Sequence, residues 1–289
     1  MSVKTFESSI KNSISACLVV HNDQEQIGRC LKSVIGVVDE IIIVHDGPCT
    51  DKTLKIARKY TNKIWIGKTC GYPEPHRITT FKKARGNWIL ILDADEYLSN
   101  KLRKNLRKLV NSGNADGYMF LWRFWDGKKY YTHQWPHRIG VVKKTSLQFL
   151  AILHPDWTIH GTSLDVPLQL EHKPAYNNVT LSAFRTKWMH WLRLHAKQVL
   201  TPISAIPRYQ YYKKQKPKHI EWIAHYDLLI APFIFIYFFL GSLKLSFPTE
   251  KFSLWKYAFY QALYYAFLCY EVYILKRTNM KFSSSKVRA

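Results

Sequence analysis

Residues 88–98 read WILILDADEYL, an apolar run from Trp88 to Leu92 that stops on three carboxylates, Asp93, Asp95 and Glu96. Its length and unbroken apolarity are those of a strand buried on both faces, so the acidic cluster falls at the strand's carboxyl end. That edge is where open α/β sheets bind ligands. Two aspartates at i and i+2 across a tight turn can face one hard cation, and a divalent metal there would neutralise a diphosphate. The competing reading is a solvated acidic turn leading into a helix capped at Ser99.

The preceding chain bears on that choice. Residues 14–20 are apolar and rich in β-formers and end on His21, Asn22 and Asp23, after which residues 24–34 place Ile27, Leu31 and Val34 on one helical face. Residues 41–44 form a second buried strand ending on His45, Asp46, Gly47 and Pro48, with Thr50 the expected N-cap of the next helix. Residues 63–66 are a short third strand, and Glu74 to Arg77 are expected to precede a basic helix reaching Ala84. Strands alternating with helices over about 100 residues predict a parallel, doubly wound sheet. Loops are polar anyway, but in this topology carboxylates at three strand ends converge on one sheet edge.

Composition sets the outer bounds. The 289 residues, 47% hydrophobic, suit one large domain or one domain with an appendage. A net charge of +23 points to polyanionic partners: anionic lipid, nucleic acid or phosphorylated substrates. Five cysteines without a CxxC pair argue against a disulfide framework or a zinc knuckle and fit a reducing cytoplasm. The polar first fourteen residues contain no apolar h-region, so no secretory signal is expected.

The segments SACLVVHND, VDEIIIVHDGPCTDKT and KKARGNWILILDADEYLS, within residues 14–112, resemble the nucleotide-diphospho-sugar transferases of glycosyltransferase family two, the inverting GT-A fold group. The resemblance implies an α/β GT-A fold with a Rossmann-like mixed sheet. It implies a donor site of Val20, His21 and Asp23 at the first strand's end, Asp46 at the second, and Arg77 and Asp93. Asp95 is implied as a metal ligand, for Mn2+ or Mg2+. The chain departs from the family's usual DDGSTD or DSGSTD by reading DGPCTD, in which Pro48 removes a backbone N–H. Further on, PHRIGVVKK (136–144) resembles an arginine-containing strand of the lipopolysaccharide-core branch, and His154-Pro155-Asp156 stands where that branch has a His-Glu pair; a Glu171-His172 pair follows. On that basis His154 is the expected third metal ligand, and Asp156 and Glu96 the expected catalytic carboxylates. Inverting transfer needs one carboxylate to take the acceptor hydroxyl's proton.

The remainder changes character. Residues 117–122 are aromatic and strand-like, and Asp126-Gly127 signals a hairpin turn; these aromatics serve packing or a sugar platform. Residues 183–200 alternate tryptophans with cations, as a membrane-interface helix or a core helix would, and Lys213, Lys214, Lys216 and Lys218 suit anionic headgroups. Residues 228–243 and 257–270 carry no charge, yet each falls short of the ~20 apolar residues of a straight bilayer span. With Pro232 and Gly241 inside the first and a turn at Pro248, they read as a helical hairpin lying in one leaflet. The expected organisation is a GT-A catalytic domain over 1–180 and a basic, aromatic, hydrophobic helical region over 181–289 associated with a membrane.

The function expected from all this is metal-dependent transfer of a sugar, hexosyl in type, from a nucleotide-diphosphate sugar to a lipid-linked or cell-envelope glycan. It would take place on the cytoplasmic face of a membrane, with the protein peripheral or monotopic on an anionic surface. A catalytically impaired nucleotide-sugar-binding protein is one alternative. A nucleic-acid-binding protein is another, but no recognition module is present and an acidic sheet edge repels phosphate unless a metal intervenes, so no nucleic acid partner is expected.

Overall fold

A computed structural model describes residues 12–153, 157–174, 177, 180–211, 215–250 and 254–285, of which 246–250 and 279–285 by backbone alone. Eight strands form the main sheet: β1 (Ile14–Val20), β2 (Glu40–Asp46), β3 (Ile64–Gly67), β4 (Trp88–Leu92), β5 (Glu96–Leu98), β6 (Gly117–Leu121), β7 (His137–Lys143) and β10 (Ser163–His172). Their order is β3-β2-β1-β4-β7-β6-β10-β5. The first four run parallel, β7 lies antiparallel between β4 and β6, and β5 pairs antiparallel with β10. β8 (Leu147–Leu150), β9 (Trp157–Ile159) and β11 (Arg208–Tyr209) form a small second sheet. This is the expected mixed Rossmann-like α/β arrangement. Every residue of β1 and β4 is buried, as central parallel strands covered on both faces require.

The two faces carry separate cores. Leu18, Leu31, Leu90, Leu106 and Phe120 pack on one, and Ile42, Phe81, Ile91 and Phe149 on the other. Helix α1 (Ile27–Val34) starts later than the apolar spacing suggests, because the Asp23 carbonyl accepts from Gln26 and Ile27 and shapes residues 23–26 as a turn. Thr50 is not the cap of α2 (Thr53–Ala57); Asp51 instead accepts from the Thr53 and Gln24 amides and ties the two loops together. Helix α3 (Glu74–Lys83) includes the residues expected to precede it, since Pro75 in the first turn lacks an N–H that would be unpaired there anyway. Ser99 caps α4 (Asn100–Asn111) by accepting from Leu102, as expected.

The C-terminal chain begins with α5 (Leu181–Ala183), which passes through a π turn into α6 (Met189–Leu200). Then follow α7 (Lys218–Tyr226), α8 (Ala231–Glu250) and α9 (Trp255–Ser285). Leu192, Ile223, Ile234, Leu268 and Val272 form a third core. The boundary expected at 181 is not a clean one: β11 pairs with β8, and Tyr209 packs in the sheet core. α8 is longer than its charge-free stretch. Pro232 falls in its first turn, where proline is tolerated, and the helix continues through Pro248, so the expected turn there is absent. Among the described residues, one helical stretch, Lys218–Leu245, is long and apolar enough to cross a membrane by length and composition, and only 11% of its apolar window is buried.

Candidate active site

The turn after β4 is organised by Glu96. Its carboxylate accepts from the Asp93 amide (2.9 Å), from the Trp122 indole N–H (2.6 Å) and from Arg138. Glu96 is fully buried and out of reach of any acceptor, so the expected catalytic role gives way to a structural one: it folds the acidic turn and holds Arg138. Asp93 takes the buried Arg77 guanidinium on Oδ1 (2.5 Å) and Arg138 on Oδ2 (3.4 Å). Burial alone would raise the Asp93 carboxyl, but the two guanidiniums outweigh it and hold it below the usual carboxylate range.

Asp95 turns the other way. Its Oδ2 lies 3.4 Å from His172 Nε2. His172 arrives because β10 pairs antiparallel with β5 in a register that sets His172 opposite Glu96. Its ring stacks on Trp122 at 3.8 Å, and Nδ1 is buried without a hydrogen-bond partner. The sequence contains this histidine in plain view, but nothing local to it announces a long-range strand pairing. The residues expected to play its part, His154 and Asp156, lie outside the described residues.

Asp95 and His172 fit a divalent cation. Two adjacent ligands on an octahedral ion with bonds of ~2.1 Å stand about 3 Å apart, close to the spacing seen, and a carboxylate oxygen with an imidazole is a donor set that Mn2+ accepts. Asp46, Cys70 and His76 also bring ligand atoms within 4.8 Å of one another. There, however, His76 Nε2 faces both Asp46 Oδ1 and the Lys68 carbonyl at 2.9 Å. A ring nitrogen against a carbonyl oxygen carries its proton and cannot ligate.

The other expected donor residues gather at the ends of β1 and β2. Asp46 is buried and accepts from the Cys70 and Gly71 amides besides His76, which occupies three of its roughly four lone-pair positions. His76 reaches it by lying over Gly67, where any Cβ would stand 2.2 Å from the ring. Asp23 caps the His21 amide, and His21 Nδ1 contacts the Asp46 carbonyl at 2.7 Å. Burial, with the Asp95 and Asp93 charges nearby, pushes the Asp23 carboxyl up to about 6. Val20 is buried in the sheet core, which leaves only its backbone for a ligand.

Beside Asp93 opens a cavity of ≈ 520 Å³, bounded by the sheet edge on one side and α9 on the other. Arg77, Arg138 and Trp157 line the first side, and Tyr257, Gln261 and Tyr264 the second. The β7 strand that carries Arg138 lies in the segment marked by its arginine; the α9 wall had no signal beyond aromatic richness.

The profile of glycosyl transferase family 2 matches residues 15–165, more than half of the chain, and includes β1, β2, Arg77, the DADE turn and Arg138. The chain belongs to glycosyl transferase family 2. Its sheet, four parallel strands followed by an antiparallel insertion with acidic residues at the carboxyl edge, is the GT-A arrangement of that family. An uncharacterized glycosyltransferase of Rickettsia conorii is 32% identical over 111 residues, covering 38% of this chain and 39% of the relative. The chain thus spans well under half of that relative's length. Poly(ribitol-phosphate) beta-N-acetylglucosaminyltransferase TarS of Staphylococcus aureus (strain Mu50) is 29% identical over 80 residues, 26% of this chain and 14% of that protein. The crystal structure of S. aureus TarS 1-349 aligns at TM-score 0.43 and 17% identity over 81% of this chain and 74% of that one.

Proposed function

We propose that this family 2 member is an inverting glycosyltransferase that takes a sugar from a nucleoside-diphosphate donor and passes it to a glycan or lipid-linked acceptor at a membrane surface. The observation that carries the reading is the convergence of Asp95 and His172 with Arg77, Arg138 and Asp93 at one sheet edge, opening into the cavity under α9. Val20, His21, Asp23 and Asp46 shape the pocket for the nucleotide. Arg77 and Arg138 are held by Asp93 and line the cavity beside it, where a diphosphate would lie; guanidiniums are suited to such groups. Asp95 and His172 would hold a Mn2+ or Mg2+ ion, which when bound offsets negative charge on the departing nucleoside diphosphate. The TarS relative is named as a poly(ribitol-phosphate) beta-N-acetylglucosaminyltransferase, and a nucleotide-activated N-acetylglucosamine is therefore among the donors to try.

The membrane half of the reading rests on α8. Phe233, Ile236, Tyr237, Leu240 and Leu245 are exposed on it, and Leu229 just before it, an apolar face of the kind that marks interaction sites. A lipid surface, with the chain's +23 charge drawn to anionic headgroups, accounts for both features. The test is calorimetry with UDP in Mn2+ and in chelator, followed by UDP release from UDP-glucose and UDP-N-acetylglucosamine. Binding that needs the metal, with turnover of one donor, is expected; absence of UDP binding in either condition would overturn the donor reading.

A further inference from the structure

We propose that the cavity beneath α9 seats the acceptor sugar and that the Glu74 carboxylate takes the proton from its attacking hydroxyl, a role that rests on the glycosyltransferase reading above. Glu74 is the first residue of α3 and 7% exposed, and its Oε2 is buried with no hydrogen-bond partner. Buried carboxylate oxygens are nearly always bonded, so an unpartnered one on a residue that lines a cavity marks the place of a donor that arrives with a ligand. A sugar hydroxyl is such a donor. Glu74 stands one turn before Arg77 on the same face of α3, and Arg77 holds Asp93, so the carboxylate borders the donor edge rather than a remote recess.

The opposite wall presents aromatic and amide side chains, the kinds that contact a sugar ring. Tyr257, Gln261, Tyr264 and Tyr265 recur at i, i+4, i+7 and i+8 and line the cavity from one face of α9, with Trp188 beside them. Aromatic rings receive the C–H face of a pyranose, and the Gln261 amide can bond its hydroxyls. The volume of ≈ 520 Å³ falls within the usual range of small-molecule sites.

Glu74 and Asp93 are the two carboxylates among the described residues that line this cavity. Asp93 is clamped by two guanidiniums and held low, which makes it a weak base. Burial pushes the Glu74 carboxyl up to about 7 against the pull of Arg77, near the range in which a general base works best at neutral pH. In the step itself the acceptor oxygen bonds to the anomeric carbon as its proton passes to Glu74. The bond from that carbon to the diphosphate oxygen breaks, and its electron pair leaves with the nucleoside diphosphate. Glu74 then returns the proton to solvent.

The test uses the full chain with Mn2+ and UDP-glucose or UDP-N-acetylglucosamine, water as the acceptor, and sodium azide as a nucleophile that has no proton to lose. Glu74→Gln should slow UDP release to water by about 10²–10⁴-fold, with UDP affinity by calorimetry within twofold of wild type. Glu74→Ala should regain UDP release in azide, with a glycosyl azide as product, while the wild type gains little. Wild-type hydrolysis by Glu74→Gln, or no azide rescue of Glu74→Ala while UDP still binds, would overturn the proposal. Loss of UDP binding in the wild type itself strikes the donor reading instead.

Discussion

Asp93 and Asp95 are two residues apart, yet their partners give them different work. Asp93 neutralises the nearly buried Arg77, whereas Asp95 contacts His172 at a spacing that admits a cation. Alanine at the two positions should therefore separate stability from metal binding. Asp95→Ala should weaken Mn2+ binding at least about tenfold, since even outer-shell partners of a metal are worth that much, and leave the melting temperature nearly unchanged. Asp93→Ala should lower stability by about 1–3 kcal/mol, because it strands a desolvated guanidinium whose partner was itself partly solvated. Manganese titration followed by EPR, alongside thermal unfolding, distinguishes them; equal effects of the two alanines on both quantities would show that the DADE turn acts as one undivided site. The sequence made the aspartates legible because they end an unmistakable buried strand. It left His172 as half of an unassigned pair, since the β10–β5 pairing that delivers it is a long-range event, and Glu74 passed for an ordinary residue at a helix start.

At the scale of elements, the parallel half of the sheet is fastened by a residue that no motif marks. Glu40, the first residue of β2, accepts from the Ser15 hydroxyl on β1 (2.5 Å), the Arg85 amide before β4 (2.6 Å) and the Lys63 ammonium before β3. Burial would raise its carboxyl, but Lys63, Ser15 and Arg85 outweigh that and hold it down to about 2 from an ordinary 4.5. A depressed carboxylate contributes stability that is fully present above its unfolded value and is lost as pH falls toward its folded value. Glu40→Gln should accordingly cost about 1–3 kcal/mol at pH 7. The gap between wild type and variant, measured by urea unfolding, should close as pH drops from about 4.5 toward 2; a gap independent of pH would mean that Glu40 acts by packing alone. The alternation of strands and helices was readable because buried parallel strands are short apolar runs with polar ends. Helix starts were read less well. Loops here are closed by side chains from other loops, as Asp51 shows by bonding the Gln24 amide, and local capping rules do not register such contacts.

For the whole molecule, the question is how the α6–α9 region relates to a lipid surface. Phe238 stacks on Tyr265 at 3.6 Å, which fixes α8 to α9, and α9 in turn walls the cavity beside Asp93. An apolar face of α8 in lipid would thus set the site directly at the membrane, where a lipid-linked acceptor presents its sugar. The full chain should float with vesicles containing anionic lipid. Salt should release part of it, because each lysine or arginine near such a surface contributes roughly 1 kcal/mol that screening removes, and the apolar contact should retain the rest. Replacing the exposed Phe233 and Leu240 by aspartate should make the association weaker and wholly salt-sensitive, while UDP binding by the sheet edge persists. The apolar helical stretch 218–245 is also long enough for a second outcome, a full crossing of the bilayer. Protease confined to the far side of sealed vesicles discriminates: protection of residues 246–256 is expected if α8 lies in one leaflet beside α9, whose buried face packs on α6 rather than on lipid. Cleavage there would place the α8–α9 connection across the membrane and make α8 a spanning helix.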